Sequence, residues 1–124
     1  MGRILIVDDE PYIRILMEQT LEELEDEGVE LLIEENGLDG LETIKEELPE
    51  LVFLDVMMPE MNGFEVCRKV KEDETLENVY IIMLTAKGQE FDKEQAREVG
   101  ADFYMTKPFN PDDVVEKAEE ILGN

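Results

Sequence analysis

Apolar residues gather in five short runs, Ile4–Val7, Val29–Ile33, Leu51–Leu54, Val79–Leu84 and Ala101–Met105. After each run the apolar positions spread to a period of three to four, so the pattern predicts five strands alternating with five helices. Pro11 suits the first turn of the first helix, which is expected to bury Ile13, Leu16, Met17, Thr20, Leu21 and Leu24 before Gly28 stops it. The second helix puts Leu38, Leu41, Ile44 and Leu48 on one face and cannot pass Pro49. The third carries Phe64, Cys67 and Val70, and the fourth carries Phe91, Ala96 and Val99 ahead of Gly100. The fifth opens at Asn110-Pro111 and buries Val114, Val115, Ala118, Ile121 and Leu122.

Strict alternation of strand and helix favours a parallel sheet with helices on both faces, an α/β doubly wound architecture. The runs "LVFL" and "VYIIML" are continuously apolar, as strands covered on both faces should be. The 124 residues fit one such domain, taken as residues 1–124, and show no repeat or low-complexity tract.

In a sheet of this kind the functional crevice lies at the carboxyl ends of the strands. The first strand ends in Asp8-Asp9, the third in Asp55 and the fourth in Thr85-Ala86. The fifth reaches Lys107-Pro108 after a short gap. Carboxylates, a hydroxyl and an ammonium are thus expected on one rim. Neither G-x-G-x-x-G nor G-x-x-x-x-G-K-[ST] occurs, so nucleotide-binding versions of the architecture are disfavoured.

Charge sharpens this picture. There are 34 Asp and Glu against 11 Lys and Arg, a formal net charge of −23, which argues against direct contact with nucleic acid or an anionic membrane. Crowded carboxylates repel one another, and a hard divalent cation such as Mg²⁺ removes that cost with oxygen ligands. With the charge neutralised, Asp55 can attack phosphorus as a carboxylate nucleophile, while Lys107 and Thr85 hold phosphoryl oxygens. Taken singly, each residue has a plainer reading. The acids at 8–10 complement a helix N-terminus, Asp55 opens a turn-rich loop, and Cys67 fills a core. Their placement at the ends of four strands is what favours a shared site. The single Cys67 leaves no intramolecular disulfide, and no secretory leader or membrane-spanning run is visible, so a cytoplasmic protein is expected.

The segments "VDDEP", "LDVMMPEMNG", "LTA" and "YMTKPF" resemble the receiver domain of two-component response regulators, and the likeness covers essentially the whole chain. The resemblance implies a flavodoxin-like (βα)5 fold with strand order 2-1-3-4-5. It further implies that Asp55 is the phosphoacceptor, and that Asp9, Asp55 and the Met57 backbone carbonyl ligate Mg²⁺, with Mn²⁺ as a substitute. Asp8 would act through a water on the ion. Thr85 and Tyr104 would be the switch residues, and Lys107 the phosphate-binding lysine before a cis proline, Pro108. Signalling would pass through the surface of the fourth helix, fifth strand and fifth helix. The partners implied are a sensor histidine kinase or phosphotransfer protein and an output domain or partner protein, with the chain a monomer or a phosphorylation-dependent dimer. The chain contains no histidine, so the phosphoryl group must arrive from another protein.

Two other functions compete. An aspartate-nucleophile phosphohydrolase uses D-x-D, but the position two after Asp55 is Met57. A pseudo-receiver would keep the fold and bind partners without phosphorylation, yet every acceptor residue is present. Met57, Ala86 and Lys87 flank the expected access route to phosphorus, where a long apolar Met57 is expected to shield an acyl phosphate from water. A stand-alone regulator and the first domain of a longer protein both remain open.

Overall fold

The structure is a computed structural model that describes residues 2–86 and 90–123, without the side chains of residues 90 and 91. Its strands are β1 (Arg3–Val7), β2 (Glu30–Glu34), β3 (Leu51–Asp55), β4 (Tyr80–Ala86) and β5 (Phe103–Lys107). Its helices are α1 (Pro11–Thr20), α2 (Glu22–Asp26), α3 (Gly37–Glu47), α4 (Gly63–Lys71), α5 (Glu90–Glu98) and α6 (Pro111–Leu122), with a 3₁₀ turn at Glu74–Leu76. All strand pairs are parallel, in the order β2-β1-β3-β4-β5. The strand order expected from the resemblance is the one found.

Alternation along each strand divides the core into two layers. Ile4, Ile6, Leu51, Phe53, Ile82 and Leu84 face α1, α2 and α6, where they meet Met17, Leu24, Val114 and Ala118. Leu5, Val7, Val52, Leu54, Ile81 and Met83 face α3, α4 and α5, against Ile44, Val66, Cys67, Val70 and Ala96. Every residue of β3 is buried, which accounts for its unbroken apolar sequence up to Asp55.

Several expectations need correction. The first predicted helix is two, because the chain leaves helical geometry at Leu21 (φ −98°, ψ 8°). Thr20 Oγ1 donates to the Leu16 carbonyl at 2.7 Å next to the break, a local bond of the kind that competes with a helix ladder. The "fourth" and "fifth" helices of the sequence reading are therefore α5 and α6. Leu38 and Leu48, placed on the buried face of the second predicted helix, are instead about half exposed, at 49% and 55%. Leu48 lies outside α3, in the left-handed region at φ 50°, so helical periodicity no longer governs it. Leu16, Thr20, Phe64, Val115, Ile121 and Leu122 are half-buried, and the expected burial of Phe91 concerns a side chain outside those described. At the sheet's edges the strands slip forward: β2 ends at Glu34 and β5 at Lys107, because pairing with β1 and β4 extends the ladder beyond the apolar runs. Lys107, expected a short gap beyond the fifth strand, is the last residue of β5 itself.

Candidate functional site

Strand register assembles the site. Val7 pairs with Leu54, so the next residues, Asp8 and Asp55, stand side by side at the carboxyl end of the sheet. Asp55 pairs with Leu84, Thr85 with Thr106, and Ala86 with Lys107, which carries the rim across β4 to β5. Among the described residues, the buried polar or charged ones are Asp8, Asp55 and Thr85. All three of these described residues lie at the carboxyl end of the one sheet.

Lys107 binds the cluster together. Its Nζ donates to Asp55 Oδ1 at 2.9 Å and to Glu10 Oε1 at 3.0 Å, and lies 3.0 Å from Asp8 Oδ2. That last approach is an ion pair without hydrogen-bond geometry, so Asp8 Oδ2 is left buried with no hydrogen-bond partner. The other Asp8 oxygen accepts from the Glu10 backbone N–H at 2.9 Å. Thr85 Oγ1 makes a long contact of 3.4 Å to the Met105 carbonyl.

One lysine does not balance this many acids. Burial, followed by the charge of Asp8, pushes Asp55 up to about 7, against the opposing pull of Lys107. Burial likewise raises Asp8, although the bond from the Glu10 N–H and the nearby Lys107 charge oppose it. Burial works against the Lys107 charge as well, but its bonds to Asp55 and Glu10 and its ion pair with Asp8 outweigh that and raise its affinity for a proton. The asymmetry is physical: the cation is shared by three carboxylates, whereas each carboxylate has a fraction of one cation.

Carboxylate oxygens of Asp8, Asp9 and Asp55 lie within 4.8 Å of one another, with Asp9 the exposed member. An all-oxygen set of this kind, with a buried Asp8 oxygen that accepts no hydrogen bond, fits a hard divalent cation. Mg²⁺ is therefore chemically compatible with these residues.

The remaining expected residues are spread around the rim. Met57 is 71% exposed, Ala86 is exposed at the end of β4, and Pro108 follows a cis peptide bond from Lys107. Tyr104 is half-buried on the core with Lys93 Nζ 5.2 Å from its ring centre. Lys87 lies outside the described residues. A groove of about 740 Å³ between β5 and α6 is bordered by Phe103, Tyr104 and Lys117.

Sequence reasoning missed three supports. Arg14 Nη1 donates to the Asp8 carbonyl at 2.7 Å, pinning the strand end to α1. Asn62 and Glu65 form a reciprocal capping box at the start of α4, which a scan for Asn followed three residues later by Glu would have found. Gly63 sits so close to Asp55 that an added Cβ would lie 2.2 Å from the Asp55 carbonyl oxygen. Only the fold reveals that last approach.

A sequence model described as the response regulator receiver domain matches residues 4–119. The chain belongs to the response regulator receiver family. It is 41% identical over 120 residues to the alkaline phosphatase synthesis transcriptional regulatory protein PhoP of Bacillus subtilis, covering 97% of this chain and 48% of that protein. It is 45% identical over 119 residues to the phosphate regulon transcriptional regulatory protein PhoB of Pseudomonas aeruginosa, covering 96% and 51%. The receiver chain thus spans about half the length of these curated relatives. Among solved structures, a putative response regulator from Chloroflexus aurantiacus superposes with a TM-score of 0.89 at 31% identity, over 99% of this chain and 98% of that one. Receiver domains are signalling domains, and the Asp8, Asp9 and Asp55 cluster of this one is compatible with phosphoacceptor signalling. Among the described residues no helix is long and apolar enough to cross a membrane.

Proposed function

We propose that residues 1–124 act as one phosphoacceptor unit, that Asp55 is the acceptor, and that the donor is the phosphohistidine of a sensor kinase or phosphotransfer protein. The observation that carries this reading is the convergence of the buried Asp8, Asp55 and Thr85 with Lys107 at one strand-end rim. An Asp55 carboxylate oxygen forms the new bond to phosphorus. The P–N bond to the donor imidazole breaks, and its electron pair stays on the imidazole nitrogen. Asp9 and Asp55, with the Met57 backbone carbonyl, would hold Mg²⁺, with Asp8 acting through a water on it; when bound, the ion offsets the charge of the acids and of the phosphoryl oxygens. Lys107 binds a phosphoryl oxygen and keeps the acceptor oriented. Thr85 gives up its long contact to the Met105 carbonyl and turns its hydroxyl to another phosphoryl oxygen, and Tyr104 follows.

The self-catalysed gain and loss of the phosphoryl group belong to this reading, as do a cytoplasmic location, signalling through the α5, β5 and α6 surface, and a chain that is either a monomer or a phosphorylation-dependent dimer. The relatives are named transcriptional regulatory proteins, so a transcriptional output is proposed, with DNA contacts made outside this acidic domain. Incubation with acetyl phosphate and Mg²⁺ is expected to add one phosphoryl group that hydroxylamine removes, as it does an acyl phosphate. A hydroxylamine-stable adduct, or continuous hydrolysis of a generic phosphomonoester, would contradict it.

A further inference from the structure

Glu10 is the N-cap residue of α1, yet its side chain makes no capping bond. A residue chosen only to finish the helix would be Ser, Thr, Asp or Asn, whose short side chains reach the free N–H groups of the first turn. Glu10 Oε1 instead accepts from Lys107 Nζ at 3.0 Å, across 97 residues of sequence. An ammonium has three N–H groups, and here three carboxylates surround it, from Asp8, Glu10 and Asp55. Asp8 and Asp55 are held in place by burial, but the Glu10 side chain is 58% exposed. Its release costs least, because water can solvate the carboxylate left behind.

We propose that Glu10 is a positioning residue that occupies Lys107 in the resting state and competes with the incoming phosphoryl group for it. Lys107 exchanges the Glu10 carboxylate for a phosphoryl oxygen, so Glu10 sets the threshold at which the site accepts phosphate. This rests on Asp55 being the acceptor.

The test compares wild type with Glu10→Gln, Glu10→Asp and Glu35→Gln in the presence of Mg²⁺. Glu35 is an exposed acid near α1, 3.8 Å from Arg14, and it controls for loss of one charge without touching Lys107. Two quantities are read: the rate constant of labelling by acetyl phosphate, and the equilibrium affinity for beryllium fluoride, a phosphoryl mimic. Glu10→Gln is expected to raise both by roughly two- to five-fold, the range of a solvent-exposed ion pair. Glu10→Asp, which keeps the charge but is one methylene shorter, is expected to follow Glu10→Gln. Melting temperature reports that each variant is folded. If Glu35→Gln raises both values as much as Glu10→Gln, or Glu10→Asp behaves as wild type, the effect is general charge and the proposal fails. If wild type takes up neither phosphate nor beryllium fluoride, the acceptor reading fails first and this proposal with it.

Discussion

Asp55 combines near-complete burial with the shared attention of one lysine, and both have consequences that can be measured. Its carboxyl is raised to about 7, so between the ordinary aspartate range and that value the folded chain holds a proton the unfolded chain has lost. Folding stability contributed by this group therefore falls as pH rises through that window. In metal-free protein, Asp55→Asn is expected to melt higher than wild type above pH 7 and to converge with it near pH 4. A gain of about 1 kcal/mol would appear as roughly 3–5 °C in a domain of this size. A difference that does not grow with pH would show that Asp55 is not held under charge strain. Asp9, the exposed member of the trio, is accessible to an ion, and Asp9→Ala is expected to weaken Mg²⁺ binding at least several-fold by calorimetry. Equal affinity would remove Asp9 from the site. Cys67 tells the opposite story: burial pushes its thiol up to about 12, so it should react with a thiol reagent only after denaturation. Asp8, Asp9, Asp55, Thr85 and Lys107 were legible in the sequence because each sits where an apolar run meets polar residues. Glu10 and Arg14 were not legible as site residues, because their partners are set by side-chain reach rather than by strand position.

Elements position these residues through close backbone approach. Gly63 opens α4 directly against the Asp55 carbonyl, and a methyl group there would have to displace backbone rather than a flexible side chain. Gly63→Ala is expected to cost about 1–3 kcal/mol by overpacking and to slow phosphorylation by shifting the acceptor. A fully stable, normally labelled variant would show that α4 can move aside freely. The opposite end of the sheet edge is less constrained. Thr85 makes a weak contact to β5, and Tyr104 is half-buried beneath Lys93 of α5. Phosphorylation is expected to alter hydrogen exchange in α5 and β5 while leaving β1 and β3 unchanged, as a two-state shift biased by new charge would. Unchanged exchange in α5 and β5 would contradict the switch assigned to Thr85 and Tyr104. At this scale the sequence was a fair guide to where elements begin and a poorer one to where they stop. Proline and glycine punctuate the chain visibly, whereas the break at Leu21 has no such marker and coincides with a threonine hydroxyl reaching back to Leu16, and β5 runs on to Lys107 because β4 supplies partners.

Across the whole molecule, alternation of strand and helix with continuously apolar strands was enough to indicate a parallel sheet covered on both faces. The order of the strands was not in the pattern and came from family resemblance. A net charge of −23 on 124 residues means that much of the surface repels itself. Screening shortens that repulsion from about 30 Å at 0.01 M salt to about 3 Å at 1 M. Melting temperature is therefore expected to rise across that range, and a flat or falling response would indicate that the acidic faces are already compensated by local pairs. The same charge directs the search for partners toward basic surfaces and away from bare nucleic acid.

The most direct test of phosphoacceptor function is to locate the acyl phosphate itself. Wild type and Asp55→Asn are treated with acetyl phosphate and Mg²⁺, the adduct is trapped by borohydride reduction, and the modified residue is identified by peptide mass mapping. The expected result is a single modified position, residue 55, in wild type and no adduct in the variant. Undiminished labelling of the Asp55→Asn protein, or an adduct mapped to another acid of the cluster, would contradict the assignment of Asp55 as the acceptor.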